Sequence, residues 1–173
     1  MIDWLKAVIS RLLQRNTTAH EHGSEKHDQD VETNMDQQTF INACLQFLNL
    51  PYIWGGDDFK GYDCSGLVQE LYAMLGIDPR GDQTAQVLYN YFKGRSTPHR
   101  RGVGALVFYG SSPTRISHVG MMIGEDVMIE AGGGGSRTND AGDAARDNAF
   151  VRVRPIDRRS DMIAVLYPMD LPW

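Results

Sequence analysis

Apolar residues fall at helical spacing through the first half of the chain and at strand spacing through the second. In residues 1–15, Met1, Ile2, Leu5, Val8, Ile9, Leu12 and Leu13 make one apolar face with Trp4 at its edge, while Lys6, Arg11, Gln14 and Arg15 lie opposite. That is the pattern of an amphipathic helix. So short a helix is marginal alone, and its apolar face calls for a partner surface on its own domain, on another protein or on a second copy. Residues 16–36 are polar and almost without apolar side chains, the composition of a flexible linker. A second helix is expected from Asp36, as N-cap, to about Leu48. Leu67, Val68 and Leu71 form the stripe of a third, which begins near Cys64 and ends near Gly76. Residues 78–82 read as a turn, and 83–92 as a fourth helix.

From Gly94 the pattern is that of strands. Residues 105–109 lie between Gly104 and Gly110, and 119–123 and 127–131 flank a turn at Gly124-Glu125-Asp126. The run 150–154 alternates as a half-buried strand does, and 162–167 makes the last. Residues 132–148 read as a polar, glycine-rich loop. Helices first and neighbouring strands second argue for an α+β fold, N-terminal helices packed on an antiparallel β-sheet, and not for βαβ units. The expected organisation is a docking helix (1–15), a linker (16–36) and one domain (37–173).

Composition narrows the partners. The chain has 173 residues and a formal net charge of −5, with no cluster of Lys and Arg to grip phosphates, so nucleic acid is not expected. Cys44 and Cys64 are too few for a disulfide scaffold. Cys44 lies within the apolar pattern Phe40, Leu45, Phe47, Leu48 and reads as core. No stretch is long and apolar enough to span a bilayer. Asp3, Lys6, Ser10 and Arg11 interrupt any signal-peptide h-region, so work outside the cytoplasm is expected to need another route. His20, His22 and His27 sit among acidic residues in the linker, where no rigid scaffold fixes a coordination geometry, and no metal is expected.

Against that background Cys64 stands out by its place. It falls where an aromatic, glycine-rich loop becomes a helix, flanked by Asp63, Ser65 and Gly66. The positive end of a helix dipole and its free N–H groups favour a thiolate there. The competing reading is a buried cysteine used as a small hydrophobe. A nucleophile needs a base, and His118, at the start of a strand, is the best candidate; His99, among Pro98, Arg100 and Arg101, is a poor one. Hairpin geometry supplies a third group. With Ile123-Gly124-Glu125 as a three-residue loop, Met122 faces Asp126 and His118 falls directly opposite Glu130, with Cβ atoms about 4.5–5.5 Å apart. A two-residue loop would offset them by one position. Glu130 would then orient the imidazole and stabilise its cation; a solvent-facing glutamate is the alternative.

The blocks Pro51-Tyr52-Ile53-Trp54-Gly55-Gly56, Tyr62-Asp63-Cys64-Ser65-Gly66-Leu67-Val68, Gly104-Ala105-Leu106-Val107-Phe108 and Ile116-Ser117-His118-Val119-Gly120-Met121, in this order, closely resemble the NlpC/P60 cysteine peptidases. The resemblance implies a papain-like core and hydrolysis of amide bonds in peptidoglycan stem peptides, usually between D-γ-glutamate and a diamino acid. It implies Cys64 as nucleophile, His118 as base, and the Tyr52 hydroxyl as part of the oxyanion hole. It also implies that Asp63 and Ser65 bind the amino end of the stem peptide and that Arg80 lines the cleft. The third catalytic position is usually His, Asn or Gln; here Glu130-Ala131-Gly132 occupies it, and a carboxylate orients an imidazole equally well. No metal or organic cofactor is implied, and the glycine run 132–135 is expected as a mobile lip beside Glu130. A CHAP-like amidase shares the Cys-then-His order and is one alternative. A non-catalytic structural or wall-binding component is the other. A wall hydrolase with a docking helix on a linker suits a phage tail or similar particle, its partner met by residues 1–15; a cytoplasmic enzyme recycling wall peptides is the alternative location.

Overall fold

The computed structural model describes residues 35–173, so the expected docking helix and nearly all of the expected linker lie outside the described residues. Asp36 opens the first described helix as its sequence predicts. Its carboxylate accepts from the Thr39 N–H at 2.8 Å, and α1 (Gln37–Leu45) buries Phe40, Ile41 and Cys44. The helix gives way to turns before Leu48, and Asn49 adopts a left-handed conformation at φ +68. Two short strands, β1 (Asp57–Asp58) and β2 (Gly61–Tyr62), then form a hairpin too short to leave any alternation in the sequence.

Helix α2 (Cys64–Ala73) buries Leu67, Val68, Leu71 and Tyr72, and α3 (Ala85–Phe92), capped by Thr84, buries Leu88 and Phe92. Six strands follow: β3 (Ser96–Thr97), β4 (Leu106–Ser112), β5 (Arg115–Met122), β6 (Val127–Gly132), β7 (Phe150–Pro155) and β8 (Met162–Pro168). They form one sheet in the order β3-β8-β4-β5-β6-β7, every pairing antiparallel. Helices α2 and α3 pack on β5, and α2 reaches β6, which brings the start of α2 to the middle of the sheet. This is the α+β architecture the hydrophobic pattern implies.

Three local expectations are corrected. Strand β5 starts at Arg115, so His118 lies within the strand and not at its start. The segment 132–148 is not all loop: it holds α4 (Ala141–Asp147), where Asp140 accepts from the Asp143 N–H at 2.8 Å, Ala144 is buried and Asn148 closes the helix in the left-handed conformation. The third correction is the β5–β6 register. Met122 pairs with Met128 and Met121 with Ile129, and the Ile123 N–H donates to the Val127 carbonyl at 3.1 Å. The turn is therefore Gly124-Glu125-Asp126, and the pairing that puts Met122 against Asp126 is off by two residues. The reason is burial, because Ile123 is wholly inaccessible and would be exposed in a turn that contained it.

Candidate active site

The loop before α2 is held at both ends by backbone hydrogen bonds. Tyr52 N–H donates to the Ala149 carbonyl (3.0 Å) and Ile53 N–H to Tyr62 (3.2 Å), so the loop is strapped to the start of β7 and to β2. Asp63 N–H reaches the Gly56 carbonyl at 2.8 Å. Close approach demands glycine here, since a Cβ on Gly66 would stand 2.2 Å from the Gly56 carbonyl oxygen. Asp63 then caps α2: its Oδ1 accepts from the backbone N–H groups of Ser65 (2.9 Å) and Gly66 (2.8 Å) and from the Ser65 hydroxyl (2.9 Å). Cys64 is thereby the first helical residue, at the positive end of the dipole.

Continued from Met121 and Met122, the β5–β6 register sets His118 opposite Gly132 and leaves Glu130 on its diagonal. The two-residue shift keeps both side chains on one face, because strand side chains alternate with period two. Gly132 leaves room for the diagonal: a Cβ there would lie 3.3 Å from Glu130 Oε1 and 3.6 Å from His118 Cε1. The His118 Nε2–H donates to Glu130 Oε2 at 2.6 Å, and both residues are buried. With Nε2 given to Glu130, Nδ1 is the ring nitrogen left for Cys64, which lines the same cleft.

The electrostatics follow from that chain of contacts. Burial favours the neutral imidazole, but the neighbouring Cys64 and the hydrogen bond and charge of Glu130 outweigh it and push His118 up to about 9. Burial also opposes ionisation of Glu130; the His118 hydrogen bond and charge, then Arg158 and Arg154, hold its carboxyl below the ordinary value. Arg158 Nη1 lies 3.7 Å from Glu130 Oε1. The site is thus arranged to keep an imidazolium beside the Cys64 sulfur.

A cleft of about 350 Å³ opens on Cys64 and His118, with Tyr52, Asp63 and Ser65 in its walls. Burial first, then the nearby Cys64 and Asp63, raise the Tyr52 phenol well above its ordinary value, so it remains a neutral hydrogen-bond donor. Arg80 does not join them: it is exposed in the turn before α3 and is absent from the cleft walls, while its carbonyl accepts from Gln83 Nε2 at 2.8 Å. The glycine run is tied down. Thr138 Oγ1 accepts from the Gly135 N–H (3.2 Å) and donates to Asp147 Oδ2 (2.8 Å), and a Cβ on Gly134 would stand 2.2 Å from the Tyr52 ring. Sequence reasoning missed Trp54, Arg158 and Arg159 as cleft residues. The two arginines follow β7 through a 3-10 turn (Ile156–Arg158), and nothing local in the sequence says that this turn folds over Glu130. Among the described residues no group of His, Cys, Asp and Glu is placed to hold a metal ion, and no helix is long and apolar enough to cross a membrane.

Comparison with known proteins gives a family match over residues 49–154, to the model described as the NlpC/P60 family. The chain is 35% identical over 123 residues to the bifunctional muramidase/DL-endopeptidase CwlT of Bacillus subtilis, which covers 68% of this chain and 36% of that protein. It is 32% identical over 93 residues to the gamma-D-glutamyl-L-lysine dipeptidyl-peptidase of Bacillus cereus, covering 53% of this chain and 27% of that protein. It therefore spans well under half the length of either relative. Among solved structures, an NlpC/P60 family protein from Bacillus cereus superposes with a TM-score of 0.60 at 24% identity, covering 78% of this chain and 40% of that one.

Proposed function

The chain belongs to the NlpC/P60 family, and from that premise we propose that it is a cysteine endopeptidase of peptidoglycan stem peptides, cutting the bond between D-γ-glutamate and a diamino acid. The observation that carries the reading is one buried relay, with Cys64 at the start of α2 facing His118, and His118 bonded to Glu130 at 2.6 Å.

The Cys64 thiolate attacks the γ-carbonyl carbon, and the tetrahedral oxyanion is met by the Tyr52 hydroxyl and the Cys64 N–H. Asp63 already takes the N–H groups of Ser65 and Gly66, so the N–H of Cys64 is the one left at this helix end for substrate. His118 gives its proton to the departing amine as the C–N bond breaks and the thioester forms. It then takes a proton from water, whose oxygen attacks the thioester carbonyl; the C–S bond breaks, the acid leaves, and the Cys64 thiolate and the protonated His118 are restored. Glu130 holds the imidazole through Nε2 throughout.

The test is mass spectrometry of purified peptidoglycan digested with the protein and with Cys64→Ala. New D-glutamate carboxyl ends paired with free diamino acid amines are expected from the former only. Intact wall in both digests would favour a wall-binding role, and release of stem peptides from the sugar chain would favour an amidase.

For delivery we propose attachment to a phage tail or similar particle through residues 1–15, whose sequence carries an amphipathic face on a polar tether. Deleting residues 1–36 is expected to leave hydrolysis intact and abolish incorporation into the particle; unchanged incorporation refutes the docking role.

A further inference from the structure

Two arginines enter the cleft from the turn after β7, and they are not equivalent. Arg159 is already neutralised: its Nε and Nη2 donate to the two carboxylate oxygens of Asp161 at 2.8 and 2.6 Å, and its guanidinium lies over the Tyr109 ring. Arg158 has a looser tie. Its one ion-pair contact among the described residues is Glu130 Oε1 at 3.7 Å, longer than a hydrogen bond, and Glu130 gives its other oxygen to His118. Both residues line the cleft, but the side chain of Arg158 is 37% exposed against 4% for Glu130, so the guanidinium is the more accessible of the two. The other acid there, Asp63, accepts from backbone N–H groups with both oxygens and pairs with neither arginine. The cleft therefore presents one cation with donors to spare, next to the pair that handles the proton.

That position has a chemical consequence under the proposed reaction, on which this inference rests. His118 must reach the departing nitrogen, so the diamino acid lies over β5 and β6, the side on which Arg158 stands beside Glu130. Diamino acids of stem peptides differ there in charge: a diaminopimelate type carries a carboxylate at the far end of its side chain and lysine carries none. A guanidinium matches a carboxylate with two parallel N–H···O bonds. We infer that Arg158 is a specificity residue that binds a carboxylate of the diamino acid and makes the enzyme select the diaminopimelate type over lysine.

The experiment uses the full chain and three synthetic peptides: L-Ala-γ-D-Glu-diaminopimelate, the same peptide ending in L-Lys, and the diaminopimelate peptide with D-isoglutamine in place of D-glutamate. The wild type is expected to prefer the first over the second by about 10- to 100-fold in kcat/KM, mainly through KM, the range for losing a charge-assisted hydrogen bond. In Arg158→Gln the ratio is expected to fall to within about twofold of unity, and in Arg158→Lys to lie between. Reading the ratio removes any loss common to both peptides that arises through Glu130. No preference in the wild type overturns the inference and needs no variant to be folded. So does a preference that survives Arg158→Gln while both rates fall equally, because Arg158 would then act only by steadying Glu130. If the isoglutamine peptide loses as much as the lysine peptide and that loss tracks Arg158, the carboxylate read is that of D-glutamate and the assignment to the diamino acid is wrong. Failure of the wild type to cut any of the three is a failure of the proposed activity itself.

Discussion

Asp63 is occupied by the backbone yet lines the cleft. Oδ1 accepts three hydrogen bonds from Ser65 and Gly66, and Oδ2 accepts one from the Gly55 N–H at 3.1 Å, which leaves lone-pair capacity on Oδ2 alone. The two duties separate by substitution. Asparagine keeps a cap oxygen, so Asp63→Asn is expected to unfold within a few degrees of the wild type, whereas Asp63→Ala loses about 1–2 kcal/mol in denaturant titration. If the remaining lone pair binds the amino end of a stem peptide, Asp63→Asn raises KM for a peptide with a free amine several-fold and leaves an N-acetylated peptide unaffected. Equal KM changes for both peptides would confine Asp63 to capping.

At the scale of elements, the glycine run after β6 packs against Tyr52, the proposed oxyanion donor. Gly134 lies against Tyr52 so closely that a Cβ would stand 2.2 Å from Cδ1 and 2.6 Å from Cε1, with Thr138 Oγ1 at 3.0 Å. The ring must move, since Thr138 is buried and holds the loop through Gly135 and Asp147. Gly134→Ala is expected to lower kcat by about 10²-fold, the usual cost of losing one oxyanion donor, with the circular dichroism spectrum unchanged. Tyr52→Phe should cost about as much, and the double variant little more than either, since both remove one interaction. Full additivity in the double variant would show that Gly134 acts elsewhere.

At the scale of the molecule, the buried His118–Glu130 pair links stability to pH. His118 is raised from an ordinary value of 6.5 to about 9, so between these limits the folded state holds a proton the unfolded state has released. Its stabilisation is complete below about 6.5 and is lost as pH rises through about 9. Glu130, held below its ordinary value, contributes stability above that value that is lost as pH falls through its lowered folded-state pKa. Thermal denaturation is expected to show the unfolding midpoint falling from about pH 6.5 to about 9, and kcat/KM is expected to decline on the same alkaline limb as His118 loses the proton it delivers. Glu130→Gln should move both limbs to lower pH. An alkaline limb at the same pH in that variant would mean that Glu130 does not set the charge on His118.

The sequence by itself determined what depends on neighbours a few residues away. The Asp36 cap, the stripe Leu67, Val68, Leu71 and the strand runs placed Cys64 at a helix start and His118 on a strand. Even the shared face of His118 and Glu130 was legible, because a register error of two residues preserves a period of two. Only the tertiary structure decided the rest. The burial of Ile123 chose the turn and made His118–Glu130 a diagonal over Gly132; helix α4 closed what reads as a loop; and the turn after β7 carried Arg158 to Glu130 while Arg80 stayed outside the cleft. These depend on which side chains are withdrawn from water when distant segments meet, and no spacing along the chain encodes that choice.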